Sequence, residues 1–236
     1  MPMSIVIPIL REPEIESFLD DLHAYLDRLP CPYEIVVVTS DKEVPRVCLK
    51  LRNDQKNVVS YGDSLERAIL VGISAATYLK VIVMDADGSH PKEKLEEIMD
   101  ALDSSELCVA SRYIAGGKPD HSAFREIVSR FFIFLAHLRG SKLTDPMSGF
   151  FGFRRYILCG MGFKPITWKT CLEIELRAHP HRVKEIPIEF KDRKVGLSKT
   201  TFLTGLKLIR DLVFWKKLPE YNIREDDSNC RPTGNK

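Results

Sequence analysis

Continuous apolar runs alternate with helical stripes along the first half of the chain. SIVIPIL (4–10), EIVVVTS (34–40), KVIVMD (80–85) and ELCVAS (106–111) are short and apolar at consecutive positions, as strands buried on both faces are. Between them, three sets recur at helical spacing. These are Ile15, Phe18, Leu19, Leu22, Leu26 and Leu29, then Leu65, Ala68, Ile69, Gly72, Ile73 and Ala76, then Leu95, Ile98, Met99 and Leu102. Pro91 stands where a first helical position is expected. Strand and helix in alternation predict crossover units, hence an α/β fold with a mainly parallel central sheet flanked by helices.

The second half is less regular. RYIAGGKPDH (112–121) reads as a loop, residues 122–138 as a helix, and TDPMSGFFGFRR (144–155) as a turn-rich passage. VKEIPIEF (183–190) reads as a strand, and Pro187 places it at an edge or bulge. Residues 200–217 mix Phe202, Leu206, Ile209 and Val213 with Lys207, Arg210, Lys216 and Lys217, the pattern of an amphipathic helix. The expected organisation is one domain over 1–218, with 200–218 as a candidate interfacial helix, and a polar, disordered tail over 219–236.

Composition narrows the classes. The 236 residues are 44% hydrophobic and 29% charged, an ordinary globular balance. A net charge of +2 gives no nucleic-acid footprint, so any anion site must be a local cluster. The six cysteines form no CxxC pair and are expected as free thiols of a reducing compartment. The N-terminus lacks the basic start of a signal peptide, and no apolar run reaches the ~18 residues of a bilayer span. Membrane contact is therefore expected to be peripheral or through a partner.

The chemistry concentrates at VIVMDADGSHP (81–91), where an apolar strand runs into Asp85 and Asp87. Ligands of parallel sheets bind beyond the carboxyl ends of the strands, and these acids sit at one. Two carboxylates so close repel unless a cation lies near. Hard oxygen ligands suit Mg²⁺ or Mn²⁺, which keep waters and bridge to a diphosphate. The bland reading is a pair of turn aspartates ahead of the helix near Pro91. His90 reads as structural. DADGS also fits the opening of haloacid-dehalogenase phosphatases, but the acidic pair at 226–227 has no strand before it.

Several stretches, in order, are similar to another class. MDADGSHPKE resembles the DxD loop of dolichyl-phosphate mannose synthases and related polyprenyl-phosphate transferases of glycosyltransferase family 2. IVIPILREPEI resembles their opening strand, matching Pro8 and Glu12, and ASRYIAGG their S-R-Y-x-x-G-G, with Arg112. FREIVSR resembles the helix carrying Arg125 and Ser129, and DPMSGFFGFRR their D-P-x-S-G-F segment. EIPIEFKDRKVGLSK resembles the longest signature, with Arg193 and Lys199 at the family spacing.

The resemblance implies a GT-A, Rossmann-like fold and inverting sugar transfer from a nucleotide donor, mannose from GDP-mannose first, to a polyprenyl (dolichyl) phosphate. It implies a metal, Mg²⁺ or Mn²⁺, on Asp85, Asp87 and Ser89. Donor contacts fall to Pro8, Glu12, Asp85, Arg193 and Lys199, and acceptor-phosphate contacts to Arg112, Arg125 and Ser129. Asp87, Arg112 and Arg193 would carry catalysis. The implied place is the cytosolic face of a membrane, held by peripheral contact or a small membrane subunit. The differences fall on the nucleoside side: Leu10 replaces a usual Tyr, Thr39 and Ser40 stand where acids are expected, and DSLER (63–67) replaces the usual glycines and lysine. A UDP-glucose donor and a non-catalytic homologue therefore remain as alternatives.

Overall fold

A computed structural model describes residues 1–9, 14–40, 54–60, 64–119, 123–159, 169–190 and 210, with the side chains of 40, 57, 59, 60, 123 and 124 excepted. Seven strands form one sheet in the order β3-β2-β1-β4-β6-β5-β7. They are β1 (Met3–Ile9), β2 (Tyr33–Ser40), β3 (Gln55–Ser60), β4 (Lys80–Val83), β5 (Leu107–Ser111), β6 (Phe151–Arg154) and β7 (Val183–Pro187). All pairings are parallel except those of β6, which runs antiparallel between β4 and β5. The order reverses between β1 and β4, so the crevice of this sheet opens at the carboxyl ends of those two strands.

The alternation of side chains along each strand feeds two cores. Met3, Ile5 and Ile7 of β1 point to one face, under α1 (Ile15–Leu26) and α3 (Lys94–Ser104). Val6, with Val36, Val38, Val81 and Val83, points to the other, under α2 (Leu65–Ala75) and α5 (Thr170–Ala178). A third, smaller cluster joins α4 (Ala123–Leu138) to α5 through Ile133, Ala136, Met147 and Leu172. Pro8 fits a central strand because β4 has already ended. The Val6 carbonyl accepts from the Met84 amide at 3.1 Å, and Pro8, two residues on, turns its donorless nitrogen to the same side.

The passage expected as turns holds β6, and β3 and α5 join the expected elements. β7 is an edge strand, as Pro187 indicates, and α3 begins at Lys94, after a turn closed by Lys94 N–H on the Pro91 carbonyl. Cys31, Cys108 and Cys171 are free thiols, but Cys159 carries a disulfide, which departs from the expectation for the cysteines. The candidate helix at 200–218 and the tail at 219–236 lie outside the described residues, Arg210 excepted.

Helix α2 lies so close to the sheet that only glycine fits at its contact point. A Cβ on Gly72 would come within 2.3 Å of Val6 Cγ1 and 2.9 Å of Val38 Cγ2, both in the core. Gly72→Ala is therefore expected to lose about 1–3 kcal/mol of stability, despite the better helix propensity of alanine. Urea denaturation measures it, and a stabilised variant would refute the close packing.

Candidate active site

The two acids stand at the crevice. Asp85 and Asp87 follow the end of β4, both half-buried, with exposed Gly88 in the left-handed region at φ 75°. That conformation lets the chain turn back on itself. Asp87 Oδ1 then accepts from the Ser89 amide at 3.0 Å and from the Ser89 hydroxyl at 2.5 Å. Ser89 is buried and orients the Asp87 carboxylate. His90 Nδ1 accepts the Asp85 amide at 2.9 Å, so in the neutral ring the proton sits on Nε2, 4.0 Å from Asp85 Oδ2. The ring is locked by stacking on Phe150 at 5.0 Å. His90 is thus structural, as its sequence context indicates, and its structural task is to hold the loop.

Among the described residues no group of three or more His, Cys, Asp or Glu side chains could hold a metal ion. A closed cage is therefore absent there. Two half-buried carboxylates at a strand end fit instead a hard divalent ion that completes its shell with water and substrate phosphate.

Two strands along the sheet from β4, past the antiparallel β6, β5 leads into Arg112. Its Nε donates to Asp145 Oδ2 at 2.7 Å, its Nη2 to Oδ1 at 2.8 Å, and its backbone amide to Oδ2 at 3.1 Å. Asp145 is fully buried. Burial lowers the Arg112 pKa, but the hydrogen bonds and charge of Asp145 outweigh it and leave the pKa raised. The guanidinium also lies over Tyr113 and Phe190, at 5.2 Å and 5.5 Å. The pair with Asp145 uses two of the five side-chain N–H donors, so this arginine has donors left for an anion.

Two further carboxylates hold the Asp145 loop. Glu175 of α5 accepts from the Ser141 hydroxyl at 2.5 Å and from the Lys142 and Leu143 amides at 2.6 and 3.2 Å. Glu185 of β7 accepts from the Thr144 hydroxyl at 2.7 Å and from the Asp145 amide at 3.2 Å. On α4, Ser129 accepts the Tyr113 hydroxyl at 2.9 Å, which brings this predicted acceptor residue to the Arg112 loop; Arg125 is exposed on the first turn. Pro8 is buried in β1. Glu12, Arg193, Lys199 and Leu10 lie outside the described residues, so only the DxD and Arg112 halves of the expected site are described.

Lys169 joins these halves and had no sequence signal. Its Nζ donates to the Met147 carbonyl at 2.7 Å. Burial, then the charge of Arg112, pushes its ammonium down to about 8, against the pull of Asp145 and Asp85. Asp145 had a signal, the D-P-x-S-G-F resemblance, but no assigned role.

The family model for glycosyl transferase family 2 matches residues 4–160. The dolichol-phosphate mannosyltransferase of Pyrococcus furiosus is 31% identical over 231 residues, covering 92% of this chain and 65% of that protein. The polyprenol monophosphomannose synthase of Mycolicibacterium smegmatis is 33% identical, covering 62% of this chain and 56% of that protein. The chain thus spans under two thirds of the length of these relatives. Glucosyl-3-phosphoglycerate synthase of Mycobacterium tuberculosis, solved with Mn²⁺, UDP-glucose and phosphoglyceric acid, superposes with a TM-score of 0.64 at 15% identity, covering 89% of this chain and 78% of that one. Mannosyl-3-phosphoglycerate synthase of Rubrobacter xylanophilus does so with 0.64 at 14%, covering 89% and 72%. The fold is GT-A, and the phosphatase alternative has no support in these matches.

Two outcomes test the site. Asp145→Ala leaves a buried guanidinium unpaired and is expected to cost about 3–5 kcal/mol in urea denaturation, whereas an Arg112→Met/Asp145→Leu double variant recovers most of that loss. Between about pH 8 and the ordinary lysine value of 10.5, the unfolded chain binds a proton that the folded Lys169 has released. Stability therefore gains with rising pH across that window. Lys169→Met is expected to flatten this part of the profile relative to wild type, measured by denaturation at stepped pH.

Proposed function

The chain belongs to glycosyl transferase family 2, and from that premise we propose that it is a metal-dependent, inverting polyprenyl-phosphate mannosyltransferase using GDP-mannose. The observation that carries the reading is a half-buried Asp85/Asp87 turn after β4 and an Arg112–Asp145 clamp after β5, at the same edge of the sheet, with Phe190 against both the His90 ring and the Arg112 guanidinium. The first is suited to a donor diphosphate and the second to an acceptor phosphate. The mannosyltransferase names of the Pyrococcus and Mycolicibacterium relatives support mannose and a polyprenyl acceptor.

A phosphate monoester is largely dianionic at neutral pH, its second pKa being about 6. The acceptor oxygen attacks the anomeric carbon as the bond to the nucleoside diphosphate breaks, so no general base is needed. Arg112, Arg125 and Ser129 take the acceptor phosphate, the planar guanidinium fork matching its oxygens. Asp145 keeps that fork in one orientation before substrate arrives, which avoids reorganisation during reaction. Asp85 and Asp87 would hold a Mg²⁺ or Mn²⁺ ion together with Ser89, whose hydroxyl sets the Asp87 carboxylate. When bound, the ion supplies charge neutralisation for the departing diphosphate. Pro8, Glu12, Asp85, Arg193 and Lys199 are assigned to the donor by resemblance.

No helix among the described residues is long and apolar enough to cross a membrane. A polyprenyl-phosphate acceptor would bring this domain to a membrane surface, and the proposed place is the cytosolic face, with peripheral contact or a small membrane subunit as the attachment.

Thermal shifts with GDP, UDP, GDP-mannose and UDP-glucose, each with and without Mn²⁺, are expected to single out the guanosine ligands in a metal-dependent way. Asp87→Asn is expected to abolish the metal-dependent part and lower transfer of labelled mannose to polyprenyl phosphate on the order of 10²–10³-fold. A larger response to uridine ligands would move the donor to UDP-glucose. No response to any nucleotide would leave a non-catalytic homologue.

A further inference from the structure

One side chain touches both Arg112 and Ser129. The Tyr113 ring lies under the Arg112 guanidinium, its centroid 5.2 Å from Cζ, and its hydroxyl stands 2.9 Å from Ser129 Oγ. The residue is half-buried and its backbone is held from behind. Its amide donates to Ser111 Oγ at 3.3 Å, and that oxygen pairs with Thr144 Oγ1 at 2.8 Å, beside the Asp145 loop. A Cβ at Gly117 would meet the Ser111 carbonyl at 2.7 Å, so the turn after Tyr113 closes tightly against the end of β5. The tyrosine is therefore placed by its own loop before any contact with α4 is counted.

Counting protons gives the hydroxyl a task. Burial raises the Tyr113 pKa, so the phenol keeps its single proton at neutral pH. Two acceptors lie within reach, Ser129 Oγ at 2.9 Å and Glu126 Oε2 at 3.2 Å. If the proton goes to Glu126, the serine must give its own proton to the tyrosine oxygen, and none remains for a ligand. If it goes to Ser129, the tyrosine fills one lone pair of the serine and leaves the serine O–H to donate elsewhere. The distances favour the second arrangement, and the other Glu126 oxygen is already engaged by Arg130 at 2.7 Å. A phosphate dianion offers acceptor oxygens alone, so it selects the second arrangement too. We propose that Tyr113 is a positioning residue of the acceptor site: its hydroxyl sets Ser129 as a hydrogen-bond donor toward a phosphate monoester, and its ring supports the Arg112 fork that takes the same group. The inference rests on the lipid-acceptor reading above and adds to it the residue that ties Ser129, on α4, to Arg112, after β5.

The test uses the full chain with Mn²⁺ and saturating GDP-mannose, and measures transfer of labelled mannose to a short-chain polyprenyl phosphate in detergent. Tyr113→Phe keeps the ring and loses the hydroxyl. It is expected to raise the acceptor KM about three- to tenfold, the weight of one hydrogen bond, with kcat within about twofold of wild type. Ser129→Ala should do the same, and the Tyr113→Phe/Ser129→Ala double variant should lose little more than either alone, because the two hydroxyls act through one contact. Tyr113→Leu, which also removes the ring, is expected to raise KM further. Thermal midpoints and metal-dependent nucleotide shifts of Tyr113→Phe and Ser129→Ala should stay at wild-type level. A wild-type acceptor KM in Tyr113→Phe overturns the proposal and leaves the transferase reading intact. Losses that add in the double variant overturn it as well, since each hydroxyl would then act alone. A loss that follows a lowered thermal midpoint, with kcat and KM changing together, makes Tyr113 a packing residue and also overturns it. If the wild-type chain transfers no mannose, calorimetric binding of the same short-chain phosphate decides. Weaker, non-additive binding in the two variants keeps Tyr113 as the positioning residue of a phosphate site and rejects the transferase reading, whereas a wild-type chain that binds no phosphate monoester ends both.

Discussion

One buried ion pair organises the Arg112 part of the candidate site. Asp145 sits at zero exposure and takes three hydrogen bonds from Arg112, two of them from the guanidinium. Such a pair repays its desolvation only when the geometry is good and the remaining polar groups are satisfied. Here the geometry is imposed from outside the pair. Glu175 and Glu185, on different elements, bind the loop amides and hydroxyls from 141 to 145 and leave Asp145 one place to stand. The arginine then follows the carboxylate.

The Asp85/Asp87 turn uses a looser device. Asp85 and Asp87 are held by short-range contacts, His90 on one side and Ser89 on the other, within six residues of chain. A local turn can shift by small amounts when an ion or phosphate arrives, whereas the Arg112 clamp cannot move without leaving a charge unpaired in the interior. Lys169 is under the charge of both Asp85 and Asp145. The candidate site thus combines a rigid part with an adjustable one.

What could be read from the sequence follows from how much context each element needs. β1, β2, β4 and β5 are apolar on consecutive positions because both faces are covered, and such runs need no neighbours to be recognised. β3, with Gln55, Lys56 and Asn57 at one end of the sheet, lacks that signal. β6 hides because four residues with a glycine read as a turn; Gly152 is there because a Cβ would meet Ile98 Cγ2 at 2.7 Å. α5 hides because Glu173 and Glu175 are buried, against the usual patterning. Asp85 and Asp87 stand out in the sequence because an apolar strand runs into them, and the structure puts them just past the end of that strand. The pairing of Asp145 with Arg112 and the burial of Lys169 do not show, because they arise only when segments distant in sequence approach one another.

The antiparallel β6 also bears on how the molecule is made. It fills the gap between β4 and β5, pairing Ile82 and Cys108 with the same residue, Gly152. A chain emerging from the ribosome completes both flanking strands roughly forty residues before their partner is available, a delay of some 2–8 s at about 5–20 residues per second. For that interval two strand edges stand open, and neighbouring nascent chains could pair with them. Vectorial synthesis therefore leaves the gap between β4 and β5 open until β6 is made, and a cell expressing this protein has reason to shield those edges until then.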